Sequence, residues 1–212
     1  MSLEIRLINV GMMQENCYVL YDPEKAPQSC VLIDPGDEPE RIGEELSAMG
    51  LKPLAILLTH GHFDHIGAVP GLLDRYPETT IYASEAELPL LSDSRINLSE
   101  HFVSPVELRE VEGLKDGAEL SLIGHSLKVL ATPGHTAGSC CYYEVAEGLL
   151  FCGDTLFRRS YGRTDLPTGS EEDMVVSLKE RLFKLPESVV AFPGHGETTD
   201  IGYERKYNPC GA

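Results

Sequence analysis

Apolar and polar positions follow two rhythms along this chain. Two runs with a period of two open it, residues 4–10 (EIRLINV) and 16–22 (NCYVLYD), joined by GMMQE, which predicts a β-hairpin. The apolar run 30–36 (CVLIDPG) closes on Pro-Gly and reads as a buried strand ending in a turn. A period near 3.6 then takes over. Ile42, Leu46 and Met49 mark one face of a helix over 37–49, with Asp37 as its cap, Glu40 completing a capping box and Gly50 as its stop.

LAILLTH (54–60) is the next buried strand, a helix ends over 72–76, and TTIYAS (79–84) is a further strand. Residues 91–105 carry neither rhythm and are expected to form a loop, with 91–102 as a lid over the site. Strands then dominate: VELREV (106–111), ELSLI (119–123), SLKVLAT (126–132), SCCYYEV (139–145) and GLLFC (148–152). Ser170 and Asp173 cap a helix running to about Leu185, with Val175, Leu178 and Leu182 inward; VVAFPG (189–194) is the last strand. Strand-to-helix units mixed with strand-rich blocks define a layered α/β protein.

Four of these strands share one design, an apolar run closing on a polar turn that carries a metal-ligand side chain. They are ILLTHGHFDH (56–65), VLATPGHT (129–136), LLFCGDTLF (149–157) and VVAFPGHG (189–196). The candidate ligands are His60, His62, Asp64, His65, His135, Asp154 and His195. A lone turn histidine is usually a surface or satisfied residue, so His101 and His125 are read that way, and Asp154 alone would pass for a turn aspartate. The 60–65 cluster is different. Three crowded imidazoles repel once protonated, whereas a metal ion requires neutral imidazoles beside ionised carboxylates. Five imidazoles and two carboxylates exceed one tetrahedral ion and suit two divalent ions sharing a carboxylate. The all-N/O donor set favours zinc and is compatible with iron or manganese.

Composition narrows the class. In 212 residues, 42% hydrophobic content is enough to build a core, and a formal net charge of −17 disfavours nucleic acid and anionic membrane surfaces as partners. No apolar run is long enough to span a bilayer and the N-terminus has no signal-peptide pattern. Six cysteines without a CxxC pair are expected to be buried reduced thiols of a cytoplasmic protein.

THGHFDH (59–65), PGHT, GDTLF and PGHG, in that order, resemble the metallo-β-lactamase superfamily over essentially the whole chain. The resemblance implies a four-layer αβ/βα sandwich, two mixed sheets with helices outside, as a single domain over 1–212. It also implies a first metal on His60, His62 and His135, a second on Asp64, His65 and His195, and Asp154 bridging both. Within the superfamily, class B lactamases typically lack the bridging aspartate, and flavodiiron proteins carry glutamate at the position of His62. GDTLFRRSYGRTDLPTGS and FPGHGETTDIGYERKYNP are similar to the short bacterial glyoxalase II (hydroxyacylglutathione hydrolase) type, without the C-terminal helical glutathione-binding domain of longer members.

What this resemblance implies is hydrolysis of S-D-lactoylglutathione or a related acyl-thiol by a metal-bridging hydroxide, with Asp64 and Asp154 catalytic through the metals. The expected partner is a small anionic thioester, and the expected assembly a monomer or small homo-oligomer. Arg158, Arg159, Tyr161, Arg163, Arg205 and Lys206 are candidate substrate contacts, against the plain alternative that such side chains are solvated or paired. Persulfide dioxygenases are the alternative. They share a GRTD stretch like residues 162–165 and use one iron at positions corresponding to His60, His135 and Asp154.

Overall fold

The computed structural model describes residues 3–211. The opening hairpin forms where the alternation places it: β1 (Glu4–Val10) pairs antiparallel with β2 (Glu15–Tyr21), with Ile8 opposite Cys17. β2 also pairs antiparallel with β3 (Ser29–Ile33), and α1 (Pro39–Met49) leads to β4 (Lys52–Leu57), parallel to β3. α2 (Phe63–Ile66) and α3 (Val69–Arg75) cross to β5 (Thr80–Ser84). After α4 (Leu88–Leu91) and α5 (Ser99–Phe102), β6 (Glu112–Leu114) closes a mixed six-stranded sheet in the order β1-β2-β3-β4-β5-β6.

The second sheet is built from β7 (Glu119–Leu122), β8 (His125–Ala131), β9 (Cys140–Glu144) and β10 (Leu149–Gly153), followed by a small hairpin, β11 (Leu156–Phe157) with β12 (Ser160–Tyr161). α6 (Glu171–Val176) runs on through a π turn and a 3-10 turn to Lys184. β13 (Val190–Pro193), β14 (Thr199–Asp200) and α7 (Ile201–Tyr207) complete the chain. The sheet order is β14-β13-β10-β9-β8-β7, with β10 and β13 parallel.

Side-chain alternation sorts the apolar residues into three packed layers. Tyr18 and Leu20 of β2 face Tyr142 and Phe151 between the sheets. Cys17 and Val19, one residue out of phase, face Ile42, Leu46 and Leu72 of the outer helices. On the far side, Cys141, Leu150 and Cys152 pack on Met174, Leu178 and Leu182. Period-two alternation with both faces covered makes the central strands apolar throughout, and the result is the four-layer sandwich expected. All six cysteines are buried free thiols. No helix is long and apolar enough to cross a membrane among the described residues.

Two sequence readings are corrected. Asp37 and Glu40 do not form a capping box. The helix starts at Pro39 behind Glu38 in a left-handed conformation (φ 56°), with no side-chain cap, because proline at the first turn has no N–H to satisfy. Gly50 does stop it, at φ 71°. Residues 106–111 are irregular rather than a strand: Val106 and Leu108 enter the outer core, while the Leu108 N–H and Val106 carbonyl bond to Leu91 and the Asn97 side chain. His125 is a satisfied residue, as read from the sequence. It is buried 3.0 Å from Asp22, just after β2, and 3.5 Å from Glu144 at the end of β9, so it links the two sheets.

Candidate metal centre

The four strand-end turns meet at one edge of the sandwich. His60 follows β4, His62 precedes α2, and Asp64 and His65 lie on α2. His135 follows β8, Asp154 follows β10 and His195 follows β13. Parallel β10 and β13 bring Asp154 and His195 to the same rim. Gly194 makes that approach possible, since a Cβ there would meet His65 Cε1 at 2.5 Å and collide with Asp154 Oδ1. The donor atoms gather in three groups: His60 with His62 and His135, Asp64 with His65 and His195, and a buried one of Asp34 with His60 and His65 that overlaps both. Asp154 stands between the first two, its oxygens 3.4 Å from His65 Nε2, 3.6 Å from His135 Nε2 and 3.8 Å from His195 Nε2.

Four imidazoles are held from outside the cluster. The Nδ1–H of His65 faces Asp34 Oδ2 at 3.0 Å, and that of His60 faces Thr59 Oγ1 at 3.2 Å. His135 donates to the Arg163 carbonyl at 2.7 Å and His195 to the Met13 carbonyl at 3.1 Å. Fixing the proton on Nδ1 leaves the Nε2 lone pair pointing inward, as metal-binding histidines require. His60 Nε2, His62 Nε2, His65 Nε2 and Asp154 Oδ1 are buried without a hydrogen-bond partner. Unpaired polar atoms at that density are costly in a folded interior. Divalent cations would satisfy the His60, His65 and Asp154 atoms, and His62 turns its other ring nitrogen, Nδ1, to within 2.9 Å of His135 Nε2, so these residues fit the metal ions that such a donor set implies.

The electrostatics agree. Burial and the adjacent imidazoles push His60 far below its ordinary value, and burial holds His62 at about 3. Burial also lowers His135. Burial works against the charged forms of His65 and His195, yet the facing carboxylates outweigh it and raise both. Burial likewise opposes ionisation of Asp154 and Asp64, and the positive field of His65 and the hydrogen bond from His195 respectively win, leaving both below the usual carboxylate range. The cluster thus sets imidazoles whose charged forms burial disfavours beside carboxylates held ionised, and a cation would take the place of the proton that the carboxylates favour on His65 and His195.

A cavity of about 430 Å³ opens onto the cluster. Of the six candidate substrate contacts, only Arg163 lines it, and its guanidinium is bound to both oxygens of Asp165 at 2.7 and 2.9 Å. Arg158 pairs with Glu197 and lies over the Tyr203 ring, Arg205 pairs with Glu187, and Lys206 lies over the Tyr207 ring. Tyr161 donates to Glu171, and Arg159 bonds Glu204 through its backbone N–H. Residues 91–102 do border the site: Leu98 and Phe102 form part of the cavity wall.

Sequence reasoning missed four residues that support the cluster. Asp34, at φ 48°, accepts from the Thr59 N–H, the Thr59 hydroxyl and His65. Its signal was present, since CVLIDPG has the same strand-then-polar-turn design as the four ligand stretches. Thr59 relays this contact to His60. Glu87 binds the Gly61 N–H, the Gly138 N–H and the Thr136 hydroxyl, so one buried carboxylate ties the His60–His62 turn to the His135 turn. Glu15 is buried 3.9 Å from His65, with no hydrogen-bond partner on either oxygen, and burial pushes its carboxyl well up. No local pattern marks Glu87 or Glu15.

A fold of two mixed sheets between helices, with a histidine–aspartate cluster at the strand ends, defines a metal-dependent hydrolase-type scaffold. The chain belongs to the metallo-β-lactamase superfamily, whose family model matches residues 10–195. It is 37% identical to the probable metallo-hydrolase YqgX of Bacillus subtilis, over 96% of this chain and 95% of the relative. It is 33% identical to the hydroxyacylglutathione hydrolase GloC of Haemophilus influenzae, over 98% and 97%. Among solved structures, the B3 metallo-β-lactamase BLEG-1 superposes with a TM-score of 0.90 at 37% identity, covering 98% of this chain and 99% of that one. ETHE1 from Myxococcus xanthus superposes with 0.76 at 28% identity, covering 97% and 83%.

Proposed function

We propose that this protein is a two-metal hydrolase of the glyoxalase II type that cleaves an acyl-thiol. The observation that carries the reading is the double set of inward-facing donors divided by Asp154. His60, His62 and His135 would hold one ion, Asp64, His65 and His195 the other, and Asp154 would touch both. Bound divalent ions there supply Lewis acidity, which lowers the pKa of water and polarises a carbonyl. Zinc suits the N/O donors, and iron or manganese is compatible.

The protein's own groups favour a thioester over an amide. The polar side chains lining the cavity are candidate ligands and Arg163, so no spare acid stands ready to protonate a leaving amine. A thiol with a pKa of about 8.5 departs as thiolate without one. In the net reaction a water oxygen bonds to the carbonyl carbon and the C–S bond breaks with its electron pair on sulfur. A carboxylate, a thiol and one proton are released across the two products. The similarity to GloC supports the same class.

The test is metal analysis joined to turnover of S-D-lactoylglutathione and simple acyl thioesters. About two metals per chain with thiol release supports the reading. One iron per chain, with oxygen uptake on glutathione persulfide, would replace it with the dioxygenase. Cleavage of a chromogenic cephalosporin but of no thioester would replace it with a lactamase. Asp154→Ala is expected to lower metal content and cut turnover on the order of 100-fold or more; full metal and full activity in that variant would remove Asp154 from the bridging role.

A further inference from the structure

A second hollow, about 100 Å³, branches from the metal cavity and shares Met13, Phe63, Asp64 and Phe102 with it. Its walls are unusual for a surface. Met12 is 96% exposed, Phe102 64% and Met13 56%, and Val103 is exposed beside them. Phe102 stacks on Phe63 with ring centres 4.8 Å apart, and Phe63 sits between His62 and Asp64 in the chain. The apolar wall therefore begins at the ligands themselves. Contiguous exposed apolar surface on a soluble domain marks a binding site, and this one is concave and continuous with the reacting centre.

Charge points the same way. The polar side chains bordering the side hollow are Asp37 and Asp64, both acidic. Among the described residues, the only lysine or arginine lining either hollow is Arg163, already bound to Asp165. A carboxylate-bearing ligand would find no free cation here. In a thioester the thiol side of biological carriers is built of polar amides, so an apolar hollow suits the acyl side.

Resting on the thioester-hydrolase reading, we propose that the hollow walled by Met12, Met13, Phe63 and Phe102 takes a hydrocarbon acyl chain, making the substrates short-to-medium fatty acyl-thiols rather than polar hydroxyacyl ones. A two-carbon hydroxyacyl group would leave the hollow unfilled.

The experiment uses the zinc-loaded protein and two measurements. Calorimetric titration compares S-methyl, S-butyl and S-hexyl thioethers of N-acetylcysteamine, which cannot be hydrolysed, with S-methylglutathione. Turnover is measured for the matching acyl thioesters and for S-D-lactoylglutathione. Affinity and kcat/KM are expected to rise about three- to fourfold per methylene until the hollow is filled. Phe102→Ser and Met12→Ser, both at exposed positions, should flatten that rise. Affinity independent of chain length, or S-methylglutathione binding more tightly than the S-hexyl thioether, overturns the proposal. Length-dependent binding with no thioester turned over supports the hollow and overturns the hydrolase reading instead.

Discussion

Asp34 illustrates how one side chain outside the donor set controls it. Its carboxylate fixes the Thr59 hydroxyl, which faces His60, and fixes His65 directly. Both rings depend on it to present Nε2 inward. Asp34→Asn replaces one acceptor oxygen with a donor, and metal affinity should fall 10–100-fold at unchanged stoichiometry, measured by competition with a chromogenic chelator. Loss of one whole equivalent would instead make Asp34 a ligand. At this scale the sequence was informative where chemistry is local: the seven strand-end histidines and aspartates were recognisable, and the structure brings all seven together. Asp34 closes the same kind of strand as the ligands and was overlooked, whereas Glu87 carries no local mark because its partners lie 26–51 residues away.

At the scale of elements, Glu87 is the junction. It sits at the end of a short 3-10 turn after β5 and holds two ligand-bearing turns from different sheets. Burial pushes its carboxyl up to about 7, against the three donors that favour ionisation. The native state therefore keeps this proton to higher pH than the unfolded chain, whose glutamate titrates near 4.3. Its contribution is complete below that value and is lost as pH rises through about 7. In the presence of chelator, the wild type should lose stability between pH 5 and 7.5 relative to Glu87→Gln, an outcome read from paired thermal melts at each pH. Glu87→Ala should cost about 2–3 kcal/mol at pH 5 by stranding buried donors. The central strands were legible as short apolar runs because both faces of the sheets are buried. The α1 cap, the irregular 106–111 segment and helix α7 were not, since a proline start, a side-chain clamp from Asn97 and a cap by Asp200 override local pattern.

For the whole molecule, the donors divide by sheet. His60, His62, Asp64 and His65 hang from the first, and His135, Asp154 and His195 from the second. Metal bound here joins the two halves and stabilises only the folded state. At a free concentration about 1,000 times Kd, one ion adds about 4 kcal/mol, or roughly 8–16 °C in Tm for a chain of this size. A chelator should remove that increment, and a melt unchanged by chelation would show that the ions do not join the sheets. The strong negative charge already disfavoured nucleic acid as a partner. The apolar hollow escaped notice because Met12 and Met13 come from the β1–β2 turn and Phe102 from α5, far apart in the chain.

That division also sets the order of events in folding. His62 and His135 are 73 residues apart, and His195 is anchored on a carbonyl 182 residues away. Contacts so remote form late, after both sheets have docked. The unfolded chain offers only the 60–65 fragment, too few donors for a tight site. Metal should therefore leave the refolding rate nearly unchanged and slow unfolding instead, which stopped-flow traces with and without zinc would resolve. The ions act as a latch closed at the end of assembly, so the lifetime of the folded protein, more than the speed of reaching it, follows the metal supply.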